Sequence, residues 1–300
     1  MNERNLGSGK VLLDGAVDMH VHYGPEPLTD LATGQHHSID PLDAVEDAES
    51  MGFGAVVLKP HEFPSTVLAA AAEGRAKSIR VFSGICCDFP VGGLNPEAVE
   101  VALRSGARIV WLPTFSSRST SSERMMRMWG HNRGISLLDA EGHLIGAVRE
   151  IMDLVVQYDA LLASGHITHP EQFAVAEAFG NTGRLVVTHA MQSAADGGAG
   201  PGLSPEQCAR LAELGATLEF SARMCMGMPE EEDKVATTIA AIGADHVVLS
   251  SDYGWSQHMP NPGPGLRNYI DRLWELGVDE QLLRTMVVTN PSRLLRLDPR

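Results

Sequence analysis

Apolar residues fall in eight short segments along the chain, each followed by a polar or turn-forming stretch. They are 16–22 (AVDMHVH), 54–59 (GAVVLK), 80–87 (RVFSGICC), 107–112 (ARIVWL), 160–166 (ALLASGH), 184–189 (RLVVTH), 216–221 (ATLEFS) and 246–252 (HVVLSSD). Their length and their richness in Val, Ile, Leu and Ala predict buried β-strands. Helical patterns fill the gaps. Asp40-Pro41, Asn95-Pro96 and Ser204-Pro205 each place an N-cap before a proline at the first helical position. Thr168 and Glu171 have capping-box spacing, and Val148, Ile151, Met152, Val155 and Val156 form one apolar stripe. Asn290-Pro291 opens a short closing helix, SRLLRL.

Strands alternating with helices imply a parallel sheet. Eight such units in about 250 residues predict a closed (β/α)8 barrel rather than an open doubly wound sheet. No GxGxxG follows any strand, which argues against a dinucleotide-binding fold. No internal linker is evident, so the expectation is one domain over residues 1–300. Several loops after strands are long. The stretch 113–134 carries Arg118, Arg124, Arg127, Arg133, Trp129 and His131, and 135–145 reads as a small hairpin turning at Glu141-Gly142. The loops 192–202 and 253–265 follow the sixth and eighth strands, on the barrel face where active sites form.

Composition narrows the function. The formal net charge of −15 argues against a nucleic-acid partner. No apolar run is long enough to cross a membrane and the N-terminus lacks a signal-peptide core, so a cytoplasmic location is expected. The four cysteines form no CxxC pair and read as reduced, buried thiols, with Cys87 able to face a pocket if its strand ends there.

The histidines carry the chemistry. His20 and His22 are two residues apart on one strand and so point to the same side, with Asp18 one step earlier. That spacing lets two imidazoles reach one cation, though a chance pair would look the same. His166 ends the fifth strand, His189 the sixth and Asp252 the eighth. In a barrel these ends converge on one mouth, and five nitrogen and carboxylate donors from four strands suit zinc or a similar divalent ion.

This order of residues resembles the amidohydrolase superfamily, over nearly the whole chain from DMHVH (18–22) to SSDYGW (250–255), with TNPSRLLRL (289–297) similar to its closing helix. The resemblance implies that His20, His22 and Asp252 hold one metal, and His166 and His189 a second or part of the first. It implies one or two divalent ions, zinc foremost, with manganese or iron as alternatives. It also implies that Asp252 acts as general base. With a single ion, His189 would be free to orient the water or stabilise an oxyanion. One feature departs from the superfamily. Two-metal members carry a bridging carboxylated Lys or a Glu at the end of strand four, where this chain has WLPT. The candidate is Lys59, ending strand two in LKPHEF. Lys59 can bridge as a carbamate, bind a substrate carboxylate as an ammonium, or pair with Glu62. His61 is a weaker ligand or substrate-contact candidate.

The expected activity is hydrolysis of a C–N or C–O bond in a small amide, cyclic amide or lactone by a metal-activated water. Alternatives on the same scaffold are a metal-dependent decarboxylase, a phosphoesterase and a non-catalytic barrel. No GxSxG and no P-loop motif is present. The arginines of loop 113–134, together with Arg223, are candidate clamps for a substrate carboxylate or phosphate. Trp111, Trp255, Met224 and Met226 can line a pocket or pack a core or a subunit interface. Met125, Met126 and Met128 can pack a lid or a dimer contact. The expected partner is a small molecule, with homo-oligomer formation possible.

Overall fold

A computed structural model of the chain describes residues 13–34, 36–119, 123–192 and 202–297. Eight strands form one sheet in sequence order: β1 (Val17–Val21), β2 (Ala55–Leu58), β3 (Arg80–Cys86), β4 (Ile109–Trp111), β5 (Leu161–Ala163), β6 (Leu185–Val187), β7 (Thr217–Ser221) and β8 (Val247–Ser250). Every adjacent pair is parallel, and helices cross between them. The fold is thus the predicted (β/α)8 barrel. Each strand is shorter than its apolar segment, and in all but β7 the segment's last residues leave the ladder and enter the loops that build the mouth.

Alternation within strands divides the apolar side chains into two shells. Val17, Met19, Ala55, Val57, Phe82, Ile109, Trp111, Leu161, Ala163, Val186 and Val248 pack together inside the barrel, with Leu294 and Leu295 of the closing helix. Their strand neighbours, such as Val56, Leu58, Val110, Leu162, Val187, Phe220 and Leu249, pack outward against the helices. Gly84 makes room for the largest interior ring: a Cβ there would lie 2.3 Å from Trp111 Cζ3. The helix starts follow the caps expected of them. The Asp40 carboxylate accepts the amides of Leu42 and Asp43, Asn95 Oδ1 accepts the Ala98 amide, and Ser204 Oγ accepts the Gln207 amide. The 135–145 turn also forms, with Leu138 and Leu144 bridged antiparallel and Gly142 at φ 85°.

The ring closes between β1 and β8 above the ladder. The Asp252 amide donates to the His20 carbonyl at 3.0 Å, the His22 amide donates to the Tyr253 carbonyl at 2.9 Å, and Val21 bridges Tyr253. Gly254 permits this approach. Its φ is 108°, and a Cβ would lie 1.9 Å from the His22 carbonyl oxygen. A Gly254→Ala substitution adds strain of about 1–3 kcal/mol plus that backbone clash. We expect urea unfolding of Gly254→Ala to show a loss of more than about 2 kcal/mol, against a change within about 0.5 kcal/mol for an exposed control such as Val156→Ala.

Candidate active site

The two imidazoles of β1 reach the mouth through a break in alternation. Val17 and Met19 face the barrel interior, so strict alternation would turn His20 outward. The β1–β2 register shifts between Asp18 and Val21, and the extra residue re-aims the strand. Asp18 is not a third donor beside them. Its Oδ1 accepts the amides of His20 and Ser251, both at 3.1 Å, and so pins the irregular stretch to β8. Burial raises its carboxyl to about 7.

His20, His22 and Asp252 come together, all fully buried. His20 Nε2 lies 3.2 Å from His22 Nε2 and 3.4 Å from Asp252 Oδ1, and His22 Nε2 lies 2.9 Å from the same oxygen. Donors on a common zinc ion at about 2.0–2.1 Å stand roughly 3.3–3.4 Å apart when tetrahedral. Two edges of the triangle come close to that spacing, and the third, His22–Asp252, is shorter at 2.9 Å. His166 and His189 form a second pair, with Nε2 atoms 3.0 Å apart and, among the described residues, no partner for either Nδ1. Burial, then the neighbouring His189 and Lys59, holds His166 well below its usual range, and burial lowers His189 to about 4. Two neutral imidazoles thus aim nitrogen atoms at one point. His189 and Asp252 both adopt left-handed backbone, at φ 25° and 56°. Such conformations persist where surrounding structure fixes them and cluster at functional sites.

Lys59 lies among these groups, 1% exposed. Its Nζ donates to His61 Nε2 at 3.2 Å and sits 5.5 Å from the centroid of the Trp111 ring. The Glu62 pairing considered above does not form; Glu62 Oε1 accepts the Thr29 amide instead. His61 is held from its other side by Thr114 Oγ1 at 3.0 Å and by the Asp88 carboxylate at 3.5 Å. Asp88 also accepts the amides of Thr114 and Ser116 and the Cys86 thiol. Burial alone would raise this carboxyl, yet His61 and these hydrogen bonds bring it to about 2. Cys87, by contrast, packs in the outer shell and not in the mouth.

Four contributors carried no clear reading in the sequence. Glu219 on β7 accepts His20 Nδ1–H at 2.9 Å, the Ser250 hydroxyl at 2.6 Å and the His189 amide at 3.2 Å. His20 Nε2 is therefore left with its lone pair toward the mouth. Its signal was a lone acid inside the apolar strand TLEFS. Asp88 and Glu26 sit in loops, where acids are ordinary. Glu26 Oε1 accepts the amides of His61 and Glu62, while its Oε2 lies 3.7 Å from His37 Nε2. Phe115 packs against His61 with ring centroids 4.4 Å apart and the planes tilted by 30°. Trp255 joins the cluster as a wall, its ring centroid 4.1 Å from His22 and 5.1 Å from both His37 and His61. The loop arginines Arg118, Arg127 and Arg133 are exposed. Nothing of the Arg124 or Met125 side chains, or of 193–201, lies within the described residues.

The architecture is shared with solved members of the amidohydrolase superfamily. The probable dipeptidase PvdM from Pseudomonas aeruginosa is similar with a TM-score of 0.68 and 11% identity, over 96% of this chain and 96% of that one. The 2,6-dihydroxybenzoate decarboxylase in complex with 2,6-dihydroxybenzoate is similar at 0.63 and 15%, over 95% and 100%. The phosphotriesterase from Mycobacterium tuberculosis is similar at 0.57 and 16%, over 95% and 94%. At these identities the likeness is one of fold. The chain belongs to a family of unknown function, DUF6282, whose model matches residues 15–219. No curated protein matches it in sequence. No helix among the described residues is long and apolar enough to cross a membrane.

Burial of neutral groups in the mouth sets the pH response of metal-stripped protein. His22, His61 and His166 stay well below the ordinary 6.5, His37 is lowered and His189 falls to about 4, with burial the largest cause for each. Burial raises Asp18 and Glu26 to about 7 and raises Asp47, which opposes them. Near pH 5.5 the five histidines outweigh the three carboxyls, so the unfolded chain binds more protons and stability rises with pH. The urea midpoint of chelator-treated protein should climb between about pH 5 and 6.5, whereas a flat or falling midpoint would contradict this balance.

Proposed function

We propose that this protein is a metal-dependent hydrolase that uses an activated water to cleave a C–N or C–O bond of a small amide, cyclic amide or lactone. The observation that carries the reading is the His20–His22–Asp252 triangle, with the His166–His189 pair beside it. His20, His22 and Asp252 would hold one divalent ion, and His166 and His189 a second or part of the first. Zinc fits the nitrogen-rich donor set best, with manganese or iron as substitutes. A divalent ion there supplies a water whose pKa is lowered toward roughly 7 and polarises the substrate carbonyl.

The chain's own groups do the rest. Asp252 turns Oδ1 toward His20 and His22, and Oδ2, with Ser221 Oγ at 3.5 Å and Arg223 Nη1 at 3.9 Å, would take the proton of the attacking water and return it to the leaving group. Glu219 keeps the proton on His20 Nδ1 and anchors the His189 amide. Trp255 and Phe115 cover the histidines and limit water entry. With one ion, His189 is available to stabilise the oxyanion. Lys59 would serve as the bridging group once carbamylated. Its burial supports this, with Nζ 3.2 Å from His61 Nε2, whose ring stacks 5.1 Å from that of His22.

The test is a panel of small amides, cyclic amides and lactones assayed before and after chelation. Hydrolysis should disappear with the metal and return with zinc or manganese. Asp252→Asn should lower kcat about 10²–10⁴-fold at unchanged circular dichroism, the range general-base loss gives. Purified protein that carries no divalent ion and takes up none on incubation would refute the proposal, and release of carbon dioxide without water uptake would replace hydrolysis with decarboxylation.

A further inference from the structure

Arg223 lies beside Asp252, in the turn Ala222–Met224 that follows β7. Its amide donates to the Ser251 carbonyl at 3.2 Å, which ties the turn to the end of β8. The side chain is 21% exposed, and its guanidinium carbon lies 5.4 Å from the centroid of the Trp255 ring. Nη1 stands 3.9 Å from Asp252 Oδ2, close enough for attraction and too far for a hydrogen bond. Among the described residues the guanidinium has no hydrogen-bond partner. Other arginines in this chain find theirs: Arg184 bonds Asp159 and the Ala160 carbonyl, and Arg272 bonds Glu232 and Glu275.

A guanidinium presents five N–H donors in a rigid fork that matches a carboxylate through two parallel bonds. Here the fork is mostly withdrawn from water and held against an aromatic wall, with its donors unspent. Asp252 cannot take both bonds, because its Oδ1 faces His22 Nε2 at 2.9 Å. We propose that Arg223 receives a carboxylate of the substrate, so that the molecule hydrolysed is an acid whose carboxylate lies close to the reacting carbon. The spacing sets that proximity: the same Asp252 carboxylate touches His22 on one oxygen and approaches Arg223 with the other. One guanidinium balances one negative charge, which suits a carboxylate better than a doubly charged phosphate monoester. This substrate class rests on the metal-dependent reading above.

Two hydroxamate probes separate the possibilities, because a hydroxamate engages a zinc ion whatever its tail. Succinohydroxamic acid carries a free carboxylate, and its methyl ester does not. Zinc-loaded protein should bind the acid about 10- to 100-fold more tightly than the ester in calorimetric titration, the range that charge-assisted hydrogen bonds give. Arg223→Met should erase this preference and leave ester affinity unchanged, and Arg223→Lys should keep only a few-fold preference, because it retains charge without the fork. Equal binding by the native protein, or a preference that survives Arg223→Met, overturns the inference while leaving the hydrolase reading intact. Binding of neither probe overturns both.

Discussion

The hydrogen bond from the Asp252 amide to the His20 carbonyl joins the two ends of the sheet, and the geometry of the mouth depends on it. A barrel must bring its first and last strands together, and here the contact is made above the ladder, by the residues that also carry the site. Asp18 reinforces it from beneath by accepting amides from both sides, and Gly254 lets the chain after β8 pass over His22. The same stretch takes the β1 irregularity that brings His20 and His22 inward, and Asp252 meets them in left-handed backbone. Closing the barrel and assembling the three donors are thus one structural event.

Below that level the interior is apolar and filled, from Met19 and Phe82 to the Trp111 ring seated on Gly84. Above it, ionisable groups crowd into space withheld from water. Burying such groups is costly unless they are paired or neutral. The protein meets that cost in three ways. Glu219 and Asp88 stay charged by accepting several hydrogen bonds each. Burial shifts His22, His37, His61, His166 and His189 toward the neutral form. Asp18 and Glu26 move toward neutrality, burial raising each to about 7. The nitrogen pairs at His20–His22 and His166–His189 remain as converging donors, and a divalent ion would complete them.

The fold was legible because eight apolar segments with polar endings leave little choice of architecture, and all eight became strands. The convergence of His20, His22, His166, His189 and Asp252 was legible because barrel topology sends every strand end to one rim. Strand periodicity alone misled at Asp18: alternation grouped it with the histidines, whereas the irregularity in β1 gives it a backbone-clamping task. Glu219 was hidden because one acid in an apolar strand does not say what it faces. Lys59 was visible as a buried-strand lysine, yet its partner, His61 rather than Glu62, depends on loop geometry. Arg223 was one arginine among several until the exposed loop arginines and the Trp255 wall set it apart.

Anomalous diffraction at the zinc edge, on crystals grown with zinc, tests the central claim most directly. The account predicts a peak within about 2.0–2.2 Å of His20 Nε2, His22 Nε2 and an Asp252 oxygen, with any second peak at the His166 and His189 nitrogens. A mouth without anomalous density, or a peak bound by residues other than these, would contradict it.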